Sequence, residues 1–247
     1  MIHAGPSGSV LPRAGDVQLS WLVPGELPLE VRRRALTWLT EAERTRQRAF
    51  LFERNQLEYL ATRALVRTEL SRLLSAPPES WCFAANSYGR PELVPARGVR
   101  FNLSNHPTLV VCALRQGELE VGVDVEPVTR GAEVLGIART VFSARELADL
   151  HALPSAQQPE RALSLWTLKE AYIKARGMGL SLPLQEFSFV FSAHGAEIQF
   201  SPALQDDARR WRFTSVERRG HRIALAIEIT PGAAAPQVHC AQEATTI

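Results

Sequence analysis

Lysine is almost absent from this chain. Its 247 residues include 28 basic Lys and Arg residues, yet the only lysines are Lys169 and Lys174, both in the stretch LKEAYIKARG. Lysine carries a compact point charge on a flexible stem, whereas arginine presents a planar fork of donors, so the two are not equivalent at a phosphate-binding site. The general preference for arginine makes these two lysines candidates for a chemical role.

Other features are missing as well. The three cysteines, Cys82, Cys112 and Cys240, are odd in number and form no CxxC or Cys/His pattern, which argues against a disulfide framework or a zinc site. No stretch approaches the ~18 apolar residues that span a bilayer, and the N-terminal sequence lacks the apolar core of a signal peptide. A net charge of +2 gives no reason to expect a nucleic-acid partner. These absences predict a cytoplasmic protein without a membrane partner.

The remaining pattern predicts an α+β fold. Helices are expected from the capping box of Thr40 and Glu43 to about residue 74, with a break near residues 52–55, then over 143–151 and 161–176. The alternating or apolar segments typical of strands are DVQLSWLV, VRFNLS, TLVVCAL, LEVGVDVEP, EFSFVFS, AEIQF, WRFTSV and RIALAIEI. The order favours two halves, residues 1–116 and 117–231. Residues 232–247 are rich in Ala, Gln and Thr and are expected to be a disordered tail.

The segment VGVDVEP places two carboxylates on one strand face. Alternate residues of a strand share a face, so Asp124 and Glu126 lie on the same side as Gly122, ~6–7 Å apart. Both carboxylates could bind one Mg²⁺ ion, and Gly122 would leave room for a ligand beside the backbone. Without a third ligand and a phosphate-binding residue, a half-buried strand with one solvent-facing side explains the pattern better than a metal site.

The helix that carries the lysines offers a third carboxylate. Glu170 and Lys174 are four residues apart and therefore neighbours on the helix surface. They could form an ordinary surface ion pair, for which arginine would also serve. The choice of lysine favours a function.

These motifs, in this order, resemble the Sfp-type 4'-phosphopantetheinyl transferases. That family has a GxDxE strand followed some forty residues later by a WxxKExxxK helix, which match GVDVE and WTLKEAYIK here. The segments YGRP, FNLS and GMGLSLPLQEFSF and the helical region from residue 42 to 67 add to the similarity. The resemblance implies a pseudo-dimer of two α+β halves with the active site between them. It also implies transfer of the phosphopantetheine arm of coenzyme A to a serine of an apo carrier protein, with release of 3',5'-ADP.

The resemblance also implies residue roles. Asp124, Glu126 and Glu170 match the Mg²⁺ ligands, and Glu170 is in addition the candidate base for the carrier serine. Lys174 matches the lysine that contacts the pyrophosphate. Lys169 would either be structural or support the adjacent Glu170 from outside the set of direct ligands.

The resemblance also implies coenzyme A contacts at several further positions. Arg90 matches a residue that holds a phosphate of coenzyme A, commonly the 3'-phosphate, and Arg46 and Ser104 match other nucleotide contacts. The family usually has His after that serine. Here Asn105 follows, and His106 comes one position later, so either could take its place. Glu43 occupies a position that is basic in some relatives, and no contact is inferred for it.

Two other functions have less support in the sequence. A different Mg²⁺–phosphate enzyme lacks support because the sequence has no GxxxxGK[ST] loop. A non-catalytic module that binds coenzyme A or a carrier protein would not need the intact set of acids and Lys174. The length of the chain is similar to that of the family branch that serves nonribosomal peptide and polyketide synthesis. A monomer is expected.

Overall fold

The computed structural model describes residues 2–4, 15–193 and 195–240. Contacts divide the chain into two compact units. Unit 1 comprises Met1–Ser87, Pro91–Glu118 and Pro236–Ile247, and unit 2 comprises Tyr88–Arg90 and Leu119–Ala235. Within the described ranges, no helix is both long and apolar enough to cross a membrane.

Unit 1 combines three helices with a five-stranded sheet and a hairpin. The helices are α1 (Leu29–Trp38), α2 (Glu41–Arg48) and α3 (Glu53–Leu74). The strands are β1 (Ile2–Ala4), β2 (Val17–Leu22), β3 (Cys82–Ala85), β4 (Pro91–Val94), β5 (Val99–His106), β6 (Leu109–Gln116) and β12 (Val238–Cys240). The sheet order is β1-β12-β2-β6-β5, and β3 pairs with β4.

The predicted helical region of unit 1 is confirmed, but its break lies a few residues before the expected 52–55, since α3 already begins at Glu53. The capping box is present in full, since Thr40 accepts from the amide of Glu43 and the Glu43 carboxylate accepts from the amide of Thr40. Residues 49–52 separate α2 from α3. On α3, Leu60, Ala61, Ala64 and Leu65 are buried. Helix α1 was not predicted. Ala35 is its only buried residue, and Val31, Leu36 and Trp38 pack partly buried against the core of unit 1.

The expectation of a disordered tail over residues 232–247 is wrong for residues 238–240, which form a strand. Val238–Cys240 forms β12, which pairs in parallel with β2 and with β1. The strand is tied down by Asp16, whose carboxylate accepts from the Gln237 amide at 3.0 Å and contacts His239 Nε2 at 2.8 Å. Only three residues pair, too short a run for a strand pattern to stand out from an Ala-rich segment. Residues 241–247 lie outside the described residues.

Unit 2 contains four helices, a three-stranded sheet and a second hairpin. The helices are α4 (Gly131–Gly136), α5 (Ala138–Val141), α6 (Ala144–His151) and α7 (Gln158–Arg176). The strands are β7 (Val121–Pro127), β8 (Phe187–Ser192), β9 (Gly195–Phe200), β10 (Trp211–Arg218) and β11 (His221–Glu228). The sheet order is β10-β11-β7, and β8 pairs with β9. The mixed α+β class is thus confirmed in both units.

Helix α7 packs directly against strand β7, and Gly122 makes this possible. A Cβ atom at position 122 would lie 2.0 Å from the carbonyl oxygen of Ala171 and 2.4 Å from the amide nitrogen of Ala175. Any side chain there would push the helix off the strand. The interpretation that this glycine leaves room for a ligand is therefore wrong, because the space is filled by the helix backbone.

Candidate active site

The two carboxylates of β7 lie on the buried face that α7 covers. Asp124 and Glu126 are only 4% and 9% exposed, so the alternative of a solvent-facing strand side is wrong. Val121, Val123 and Val125 are buried as well, which leaves no wet face on this strand. Carboxylates placed in such surroundings need charged or hydrogen-bonding partners.

Lys174 supplies the partner of Asp124. Its Nζ lies 2.7 Å from Asp124 Oδ1, which joins the last turn of α7 to the middle of β7. The lysine side chain is 28% exposed and the aspartate side chain 6%, so the lysine also faces outward. A simple surface pair between Glu170 and Lys174 does not describe this arrangement.

Glu126 is held by two residues that sequence analysis did not assign to the site. Trp166 Nε1 donates to Glu126 Oε1 at 3.0 Å, and the Arg130 guanidinium donates to the same oxygen. Trp166 is the first residue of the WxxKExxxK motif, and its indole N–H was the feature from which a contact with a carboxylate could have been predicted. Arg130 lies four residues after Glu126, beyond the end of the strand, and nothing in the pattern marked it.

Glu170 lies within electrostatic reach of both β7 carboxylates. Burial, and next the negative charge of Asp124, raise the pKa of Glu170 to about 7, with Glu126 adding to the effect. Lys174 and Arg130 act in the opposite direction. A carboxyl group with this pKa exchanges its proton readily near neutral pH, as a general base must.

The donor set of Asp124, Glu126 and Glu170 fits Mg²⁺ in its chemistry. Hard divalent cations prefer carboxylate oxygens, and mutual repulsion among three acids is what a cation relieves. Among the described residues, however, no group of three or more His, Cys, Asp or Glu side chains is arranged as a ready metal site. In this structure Lys174 and Arg130 balance the carboxylates instead.

Lys169 points away from these acids and is fully buried. Its Nζ lies 2.8 Å from Glu146 Oε2 and donates to the carbonyl oxygens of Leu184 and Phe187 at 2.7 and 2.6 Å. Burial lowers the pKa of Lys169, and the charge of Glu146 opposes that shift. Of the two roles left open for it, the contacts favour the structural one.

Arg90 belongs to unit 2, where it contacts a carboxylate just before β7 and the backbone of α7. Its guanidinium makes an ion pair with Glu120 at 2.9 Å and donates to the carbonyl oxygen of Ala175 at 3.0 Å. The phosphate contact expected for Arg90 stays a prediction.

The other nucleotide-binding candidates lie in unit 1. Arg46, in the last turn of α2, stacks over the ring of Tyr59 at 5.9 Å. Ser104 is buried on β5, Asn105 donates to the Glu58 carboxylate, and His106 Nδ1 lies 2.7 Å from Thr108 Oγ1. Neither Asn105 nor His106 is thereby favoured as the replacement for the family histidine.

The Glu43 carboxylate makes its contacts within unit 1. Its Oε2 lies 2.6 Å from Nη2 of the buried Arg67, in addition to its place in the capping box. This accounts for an acid at a position that is basic in some relatives.

Comparison with known proteins decides the family. Residues 120–226 match the model of the 4'-phosphopantetheinyl transferase superfamily, and residues 30–117 match that of the 4'-phosphopantetheinyl transferase N-terminal region. The 4'-phosphopantetheinyl transferase Sfp of Bacillus subtilis is 31% identical over 165 residues, 66% of this chain and 70% of its own length. The chain belongs to the Sfp-type 4'-phosphopantetheinyl transferase family.

Two further relatives agree. Another 4'-phosphopantetheinyl transferase of Bacillus subtilis is 31% identical over 63% of this chain and 67% of its own. The 4'-phosphopantetheinyl transferase HetI of Nostoc is 29% identical over 74% of this chain and 78% of its own. A crystal structure of a holo-(acyl-carrier-protein) synthase from Bacillus anthracis in complex with CoA (3',5'-ADP) covers 45% of this chain at a TM-score of 0.38 and 15% identity, too distant to support an argument.

Membership of the family confirms the predicted enzyme class. The four motif residues of this phosphopantetheinyl transferase, Asp124, Glu126, Glu170 and Lys174, are brought together by the contact of β7 with α7. Trp166 and Arg130 complete the cluster. The individual roles of these residues are proposals, to which the geometry gives physical content.

Proposed function

We propose that this transferase uses coenzyme A and an apo acyl or peptidyl carrier protein as substrates. The serine oxygen of the carrier forms a bond to the phosphorus that bears the phosphopantetheine arm. The bond from that phosphorus to the bridging pyrophosphate oxygen breaks, and 3',5'-ADP leaves. The observation that carries this proposal is the cluster at the contact of β7 with α7, where Lys174 pairs with Asp124 and the pKa of Glu170 is raised to about 7.

Glu170 is the proposed acceptor of the serine proton. Without a bound cation its pKa of about 7 leaves a large share of the group ionised at neutral pH. With Mg²⁺ bound this pKa would be lower, which increases the ionised share that can accept a proton. Because the serine oxygen gives up its proton as it bonds to phosphorus, no net charge has to build on the nucleophile.

Lys174 is the proposed contact for the pyrophosphate. Its ammonium group now pairs with Asp124 and is partly exposed, so it can exchange that partner for a phosphate oxygen of the substrate. A positive charge held at that place stabilises the negative charge that develops on the leaving group.

Asp124, Glu126 and Glu170 would hold a Mg²⁺ ion. When bound, the ion would supply charge neutralisation at the pyrophosphate and would orient the reacting phosphorus. Its binding competes with the ion pairs that Lys174 and Arg130 make here, which links metal affinity to the substrate contacts of Lys174.

The two halves proposed from the sequence, residues 1–116 and 117–231, would form a pseudo-dimer with coenzyme A between them. In that arrangement Arg46 and Ser104, with Asn105 or His106, would contact the nucleotide. We further propose a monomer that serves peptide or polyketide synthesis. Its cytoplasmic location stays a prediction.

The experiment is incubation of the purified chain with coenzyme A, Mg²⁺ and a panel of apo acyl and peptidyl carriers. Mass spectrometry should show that a carrier gains one phosphopantetheine group, and a carrier with its acceptor serine replaced by alanine should not. Binding of coenzyme A by calorimetry without any mass gain would favour the non-catalytic module.

A further inference from the structure

We propose that Arg90 is a positioning residue that clamps the last turn of α7 to the start of β7. Through this clamp it fixes Lys174 relative to Asp124. The inference rests on the proposed function, since it assigns a role in holding the residues of that site. It differs from the phosphate contact that the family resemblance suggests for Arg90.

The guanidinium of Arg90 joins a carboxylate and a helix carbonyl. Nη1 lies 2.9 Å from Glu120 Oε2 and Nη2 lies 3.4 Å from Glu120 Oε1, a two-pronged pair. The same Nη1 donates to the carbonyl oxygen of Ala175 at 3.0 Å. The last carbonyls of a helix have no partner within the helix, and a positive charge near them is favourable. Arg90 thus caps α7 one residue after Lys174.

Gly177 provides the space for this cap. It ends α7 with φ of +62°, a backbone conformation that favours glycine. A Cβ atom there would lie 2.7 Å from Arg90 Cζ, so any side chain would displace the guanidinium. The glycine is therefore required for two reasons, the left-handed turn and the close approach of Arg90.

Glu120 anchors the other side of the clamp to the sheet. It precedes β7 by one residue, and its amide donates to Glu228 Oε2 at 2.9 Å. The amide of Glu228 in turn donates to the carbonyl oxygen of Glu120 at 2.9 Å. The carboxylate that holds Arg90 is consequently fixed at the beginning of the strand that carries Asp124.

The clamp connects the two elements that the ion pair of Asp124 and Lys174 also connects. Without Arg90, the last turn of α7 would lose a partner for the Ala175 carbonyl and would fray more often. Because Lys174 lies in that turn, fraying should lower kcat, with little effect on the KM for coenzyme A. A residue that only contacted the 3'-phosphate would instead change KM, and only with nucleotides that carry this phosphate.

The test compares Arg90→Lys with the wild-type chain on coenzyme A and on dephospho-coenzyme A, which lacks the 3'-phosphate. Lysine keeps the charge but is shorter and lacks the planar fork that makes the two-pronged pair with Glu120. We expect kcat to fall at least about tenfold with both substrates, while KM changes less than about twofold. Glu120→Gln, which keeps the shape but removes the charge, should lower kcat about threefold with both. The control is Arg100→Lys, since Arg100 pairs with Glu118 at 2.7 Å in unit 1, and it should leave both parameters unchanged.

A second measurement does not depend on activity. The amide of Gly177 donates to the carbonyls of Ile173 and Lys174, so its hydrogen exchange reports on the last turn. We expect faster exchange there in Arg90→Lys and Glu120→Gln than in the wild type or Arg100→Lys. If the wild type transfers nothing, the proposed function fails, and the exchange data still decide on the clamp. A loss confined to KM for coenzyme A, or unchanged exchange in Arg90→Lys, would overturn the inference.

Discussion

Replacing Glu170 with glutamine should stabilise the metal-free protein, and more so as the pH rises. The pKa of Glu170 is raised from 4.5 to about 7, first by burial and then by the charge of Asp124. A group with a raised acid pKa holds its proton more tightly in the folded state than in the unfolded state. Its ionisation therefore opposes folding, and glutamine, which does not ionise, removes that opposition.

The magnitude follows from the two pKa values. Below pH 4.5 the carboxyl group is protonated in both states and contributes nothing to the pH dependence. Between 4.5 and about 7 the folded state binds more protons, so the free energy of unfolding falls by about 1.4 kcal/mol per pH unit. Above the folded pKa the full penalty applies, roughly 3 kcal/mol. Glu170→Gln should recover most of it.

The assay is urea denaturation in EDTA at several values between about pH 5 and about pH 8. The quantity to compare is the difference in unfolding free energy between variant and wild type, because titrations common to both proteins cancel. Glu160→Gln is a matched control on the same helix, since the Glu160 side chain is 74% exposed. Its difference from the wild type should stay within about 1 kcal/mol, since the ion pair of Glu160 with Arg222 is exposed. If the Glu170→Gln difference stayed flat with pH within about 0.5 kcal/mol, the reasoning from burial and Asp124 would be refuted.

Three further outcomes are expected. Asp124→Asn and Glu170→Gln should each lower the rate of transfer to a carrier at least about a hundredfold at saturating coenzyme A, with the circular dichroism spectrum unchanged. Near-normal turnover of either variant would show that the replaced residue is not catalytic. Lys174→Arg should lose at least about tenfold in kcat, measured by the rate of carrier modification, because a planar fork cannot reproduce a point charge; wild-type turnover would contradict the phosphate contact. Lys169→Met should lower the free energy of unfolding in urea by about 3–5 kcal/mol, since it leaves Glu146 buried without its cation. A loss below about 1 kcal/mol would argue against the structural role.

Local patterns in the sequence predicted most elements of the site and their side-chain directions. The alternation in β7 placed Asp124 and Glu126 on one face, and the spacing on α7 placed Glu170 and Lys174 one turn apart. Both predictions depend only on the geometry of a strand and a helix, which the chain determines locally. The helix predicted over 143–151 is present for the same reason, and the capping box of Ser143 and Glu146 opens it.

What the local patterns could not predict is which elements meet. Strand β7 follows β6 closely in the sequence, yet it pairs with β11, about a hundred residues later in the chain. Pairing of distant strands depends on the packing of the whole unit. The same limitation hid the contact of Arg90 with Ala175, 85 positions apart, and the pairing of Lys174 with Asp124.

The two lysines are kept for different physical reasons, which follow from their spacing. Five residues on an α-helix correspond to a rotation of about 140°, so Lys169 and Lys174 face nearly opposite sides. An ammonium group has three donors, and Lys169 meets three acceptors: one oxygen of Glu146 and two carbonyls. A planar guanidinium would not fit that arrangement inside a packed core. Lys174 faces the carboxylates of β7, where it pairs with Asp124 and stays partly exposed. One lysine thus anchors α7 in the core of unit 2, and the other lies on the opposite face of the helix, at its contact with β7.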